Sequence, residues 1–93
     1  FKATLYVAGY TDTVGGRDYN QDLSSRRAHS IASWFKAHGL RARACWQGFG
    51  EDAPAVVTPD ETNEARNRRT IHVLANQPPP VSKTFPRNAW KCL

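Results

Sequence analysis

The sequence predicts an α+β domain, a small mixed β-sheet with helices packed on one face. Three observations carry this. Ala3–Ala8 and Leu40–Gln47 alternate in character with the period of a strand. The long segment between them repeats apolar residues at helical spacing. A third strand-like run, Thr70–Leu74, follows a loop broken by Pro54 and Pro59. The 93 residues allow one domain. A 40% hydrophobic fraction with ten aromatic residues suffices for a small core and argues against general disorder.

In the first strand, Leu5 and Val7 fall on one face and Thr4 and Tyr6 on the other. Gly9 ends it. Tyr10-Thr11-Asp12-Thr13-Val14-Gly15-Gly16 then reads as a turn-rich loop with little reason to bury itself. The helix is expected from Tyr19 to His38. Asp18 can cap it, Gln21 completes a capping box, and Gly39 sits where a glycine commonly follows a helix. Ala28, Ile31, Ala32 and Phe35 make its apolar stripe. In the second strand Ala42, Ala44 and Trp46 alternate with Arg41, Arg43 and Cys45, and Gly48-Phe49-Gly50 closes it as a plain turn. Thr62–Asn67 is expected as a short helix capped by Thr62. A right-handed crossover makes the first two strands parallel if they are neighbours. The domain is expected over residues 1–76. Residues 77–93, which open with three prolines, read as a Pro-rich basic tail or linker, with Trp90 and Cys92 as signs that its end docks.

The net charge is +5, but ten of the thirteen basic residues and all eight acids precede Asn76. Three of the five excess charges sit in Lys83, Arg87 and Lys91. A solvated tail is the plainer reading of it, and no nucleic-acid partner is expected. Nothing resembles a leader peptide at the start, and no apolar run is long enough to span a membrane. Membrane association is therefore expected only through other parts of a parent protein. Cys45 and Cys92 could form one disulfide or remain two unrelated thiols.

No catalytic constellation stands out. His29, His38 and His72 lack partners at metal-ligand spacing, and Ser24 and Ser25 lie in the helix. Neither an enzyme activity, a metal nor a cofactor is expected. A binding site is better supported. Thr11-Asp12-Thr13 follows a strand, where ligand-binding loops commonly sit. Asn20, Leu23 and Arg27 share one stripe of the helix. If that stripe turns toward the loop, Asp12 and Arg27 flank one pocket. Asp12 would offer acceptors to an ammonium and Arg27 a planar fork to a carboxylate, which suits a zwitterionic amino-acid end. The plainer alternative is that the two ion-pair with each other. Arg66, Arg68 and Arg69 form a second concentration of charge. One of them could reach the pocket, or together with the tail they could bind a polyanion.

Four segments, in order, resemble the OmpA-like, peptidoglycan-associated domain of outer-membrane porin tails, Pal lipoproteins and MotB-type stators. They are Val7-Ala8-Gly9-Tyr10-Thr11-Asp12-Thr13-Val14-Gly15, Tyr19–Ala28 with its Asn20-Gln21-Asp22-Leu23-Ser24-Ser25-Arg26-Arg27, Gln47-Gly48-Phe49-Gly50-Glu51-Asp52-Ala53-Pro54, and Asn67-Arg68-Arg69. Tyr10 stands where the family usually has His. The resemblance implies a βαβαβ arrangement and non-covalent binding of the peptidoglycan stem peptide, chiefly its diaminopimelate. Asp12 and Arg27 would hold the zwitterionic end, with Thr13, Asn20 and Arg68 as further binding positions. It also implies a periplasmic, outer-membrane-associated location in a Gram-negative envelope. The family's opening strand and helix have no counterpart before Phe1, so the domain reads as N-terminally truncated. A longer parent chain, a second copy in a homodimer, or the tail folding back through Trp90 could supply the missing cover.

Overall fold

The computed structural model describes residues 2–93; Phe1, the first residue of the expected domain, lies outside them. Strand β1 is Thr4–Gly9, helix α1 is Arg17–Ala37, β2 is Arg43–Gly48, β3 is Thr70–Ala75 and β4 is Lys91–Cys92. The sheet order is β3-β1-β2-β4. β1 runs parallel to β2, with Leu5 opposite Ala44, and antiparallel to β3, with Leu5 opposite Leu74. The expected mixed sheet is thus present, with α1 on one face. No helix among the described residues is long and apolar enough to cross a membrane.

The apolar stripe of α1 does what its spacing predicts. Ala28 and Ala32 are buried against Leu5, Val7 and Ala44, with Ile31, Phe35, Leu40 and Trp46 around them. The small residues allow a close approach. A Cβ on Gly9 would stand 2.3 Å from the Ser24 carbonyl oxygen, and one on Gly48 would stand 2.3 Å from the Ser25 nitrogen. Both contacts are with helix backbone, which cannot swing aside. Gly48→Ala is therefore expected to push α1 off the sheet and cost about 3 kcal/mol or more. A thermal melt unchanged from the parent would show that the helix can retreat freely.

The opposite face holds Ala8, Tyr10, Phe49 and Ala53, covered by Ile71, Phe85 and Trp90. Trp90 meets Tyr6 edge-on, with ring centroids 5.2 Å apart, and Phe49 at 6.1 Å. Residues 77–93 therefore return to the sheet. β4 pairs antiparallel with β2, and Cys45 and Cys92 are joined in a disulfide, one of the two arrangements their sequence left open. Arg87 ties the segment down further, donating to Asp52 at 2.7 Å and to Gln21 at 3.0 Å.

Several local expectations are corrected. The helix starts at Arg17 behind Gly16 without a side-chain cap; Asp18 lies in its first turn instead. Gln21 does not complete a capping box, because its amide donates to the Gly48 carbonyl at 2.6 Å. Gly39 follows the helix as expected, with φ +100°. The second strand begins at Arg43, three residues late. The short helix is a single 3-10 turn, Ala65–Asn67, capped by the Glu64 carboxylate rather than by Thr62. The first loop is not wholly superficial either: Tyr10, Thr11 and Asp12 are buried.

Candidate functional site

The loop between β1 and α1 is fastened from three sides. The Tyr10 amide donates to the Arg69 carbonyl at 3.0 Å, and the Thr11 amide to the Gly50 carbonyl at 2.8 Å. From below, the buried Asn20 amide donates to the carbonyls of Asp12 and Val14, at 3.3 and 2.9 Å. The Thr11 hydroxyl donates to the Asp12 carbonyl. Thr13 faces the other way. Its hydroxyl donates to the Pro59 carbonyl at 2.8 Å and accepts from the Thr62 amide at 2.9 Å. It clasps the loop of residues 58–62 and does not line the pocket beside Asp12.

That pocket has a volume of about 290 Å³. Thr11, Asp12, Asn20, Leu23, Arg27 and Arg68 line it, so six of the seven expected site residues meet there. Val14, Tyr19 and Asn63 complete the wall. They were missed because Val14 and Tyr19 carry no chemistry that marks a site, and Asn63 comes from a distant loop. Tyr19 is 60% exposed at the rim.

Asp12 and Arg27 do not pair with each other. One Asp12 carboxylate oxygen accepts from the Val14 amide at 3.1 Å. The other accepts from Arg68 Nη1 at 2.6 Å and from the Glu64 amide at 3.3 Å. Arg68 also donates to the Asn63 side chain. Three acceptor positions are used, and a carboxylate has about four, so one remains open. Arg27 is exposed on α1 and has no ion pair or hydrogen-bond partner for its guanidinium among the described residues. The pocket thus presents a held anion on one wall and an uncommitted cation on another.

The other two arginines of that charge concentration, Arg66 and Arg69, are engaged elsewhere. Arg69 points to the opposite face of the sheet, where it lies 3.9 Å over the Tyr10 ring and donates to the Ala53 carbonyl. Burial pushes the Tyr10 hydroxyl up to about 12, against the opposing pull of Arg69. Arg66 grips Glu64 through two nitrogens, at 2.8 and 3.1 Å. Those contacts, first through the Arg66 side chain and then through its amide, hold the Glu64 carboxyl down to about 2.

Burial by itself would raise the Asp12 carboxyl. The hydrogen bonds from Arg68, Val14 and Glu64 outweigh it and hold the group below its ordinary value of 3.8. A depressed carboxyl stabilises the folded state fully above its unfolded pKa and loses that contribution as pH falls through the lower folded one. Asp12→Asn should therefore remove part of the acid sensitivity of the thermal melt. The parent and variant curves are expected to diverge most above about pH 4 and to converge below it. Parallel curves throughout would contradict the ionised, hydrogen-bonded Asp12.

Residues 2–69 match the profile of the OmpA family. The chain belongs to the OmpA family. This OmpA-family domain is similar to the probable lipoprotein YiaD of Escherichia coli, at 41% identity over 80% of the chain and 34% of that protein. It is 37% identical to the peptidoglycan-associated lipoprotein of Legionella pneumophila, over 72% of the chain and 39% of the relative. It is 38% identical to outer membrane protein A of Klebsiella aerogenes, over 64% and 17%. The chain therefore spans well under half the length of these relatives. None of the three names is that of an enzyme.

Proposed function

We propose that this OmpA-family domain binds the peptidoglycan stem peptide without covalent chemistry and so anchors an envelope protein to the cell wall. It works in the Gram-negative envelope, on the periplasmic side of the outer membrane, as its relatives' names suggest. The observation that carries the reading is that Asp12 and Arg27 line one pocket without bonding to each other, each with capacity left for a partner. The ligand is the zwitterionic end of diaminopimelate. Its ammonium meets the free acceptor of Asp12, and its carboxylate meets the fork of Arg27. Asn20 and Thr11 hold the loop that presents Asp12, and Arg68 orients the carboxylate. Thr13 acts one step removed, by clasping the neighbouring loop.

Each charge-assisted hydrogen bond contributes roughly 1.5–3 kcal/mol net. A single open pocket of this kind binds weakly. The wall is a polymer with many copies of the ligand, and rebinding along it turns weak sites into firm attachment. The polyanion alternative loses support from the geometry. Arg66 is matched by Glu64, Arg68 by Asp12 and Arg87 by Asp52.

Co-sedimentation with insoluble peptidoglycan tests the reading. The chain should pellet with diaminopimelate-type wall at low and high salt, and should stay in solution with wall that carries lysine in its place. Pelleting that is indifferent to this residue would reject the diaminopimelate assignment. Pelleting that collapses with modest salt would favour a polyanion binder.

A further inference from the structure

Arg27 and Arg68 line a second hollow as well as the first. It has a volume of about 350 Å³, and Gly9, Tyr10, Arg69 and Thr70 complete it. Gly9 and Thr70 are opposite one another in the β1–β3 ladder. The Thr70 hydroxyl lies 3.3 Å from His72 Nε2, which places it on the face that carries α1. Arg69 adds a third guanidinium to its lining; one nitrogen donates to the Ala53 carbonyl and the other, Nη1, is buried with no hydrogen-bond partner among the described residues. No carboxylate lines the second hollow, whereas Asp12 lines the first. The two compartments therefore differ in sign. The first is zwitterionic, and the second is cationic with the Thr70 hydroxyl among its lining groups.

We propose that the second hollow is a subsite for a further carboxylate of the same ligand, the chain-terminal carboxylate of a stem peptide left free rather than cross-linked or amidated. The inference rests on the stem-peptide reading above. Asp12 already takes up one face of Arg68, and the first-pocket carboxylate takes up part of Arg27. Both guanidiniums keep N–H donors beyond these, and both residues line the second hollow, with the Thr70 hydroxyl as an additional donor. A peptide bound there has its two negative ends on either side of the arginine wall. The domain then distinguishes free stems from cross-linked ones.

Calorimetric titration of the intact, disulfide-bonded chain with a soluble diaminopimelate-containing stem tetrapeptide tests this, using the free acid and its C-terminal amide. The free acid is expected to bind about tenfold more tightly than the amide. Thr70→Glu, which puts a carboxylate into the second hollow, should bring that ratio to within about twofold. Equal affinity of the parent chain for acid and amide overturns the subsite and leaves the first pocket standing. Failure of both peptides to bind overturns the stem-peptide reading and the subsite with it. A preference for the acid that Thr70→Glu leaves intact overturns the placement at Thr70.

Discussion

Arg27→Ala is expected to release the domain from the cell wall while leaving its melting temperature within a few degrees of the parent. The side chain is exposed and holds nothing else in place among the described residues. Substitutions of that kind usually alter stability by no more than about 0.5 kcal/mol. On the ligand side the loss is large, because a carboxylate left facing an empty position in the pocket forfeits about 2–5 kcal/mol. That is roughly thirtyfold to several thousandfold in affinity, and a weak site with many copies falls to background pelleting. Full retention on the wall by a folded Arg27→Ala chain would refute the site.

Asp12 is a less clean test. Its carboxylate accepts from two backbone amides and from Arg68. Asp12→Ala would strip all three of their acceptor and loosen the loops it joins. The binding loss is expected there too, but it arrives mixed with a stability loss, since partly buried donors lose an acceptor and each such loss costs up to about 1 kcal/mol.

Reduction of Cys45–Cys92 is expected to have the largest effect on stability. The bond closes a loop with a sequence separation of 47. Chain entropy alone assigns such a loop roughly 4 kcal/mol. For a domain of this size each kcal/mol moves the melting temperature by about 4–8 °C. Cys92→Ser should therefore lower it by roughly 15 °C or more. Cys92 is the better position to change, because Cys45 is 1% exposed and a serine there would bury a hydroxyl. The same variant should free β4 and lift Trp90 from Tyr6 and Phe49, which a red-shifted tryptophan emission would report. A melting temperature within a few degrees of the parent would show that residues 77–93 are held without the bond. An oxidising compartment preserves such a disulfide, which suits a periplasmic domain.

The order of the elements was legible because each depends on its own neighbours in the chain. The stripe Ala28, Ile31, Ala32, Phe35 marks the buried side of α1, and Gly39 marks its end. The errors in the elements are local too. Glu64 took the cap expected of Thr62 because the turn starts at Ala65, which puts Glu64 in the capping position beside the Arg66 amide. Gln21 left the capping box because β2 brings the Gly48 carbonyl within reach.

By itself the sequence determined the strand–helix–strand order, the packing face of the helix and the presence of Asp12 and Arg27 in matched motifs. All of these rest on residue types at short spacing. The tertiary structure alone decided which arginine meets Asp12, that Thr13 turns away from the pocket, that the two cysteines join, and that the tail supplies the second face of the core. Asp12 and Arg68 are 56 positions apart, and the Tyr10 hydroxyl finds its acceptor, the Thr84 carbonyl, 74 positions away. Over such distances a single chain carries no periodicity that links one residue to another. The pairing arises only when the sheet brings the ends of β1 and β3 side by side and the closing segment lies back across them.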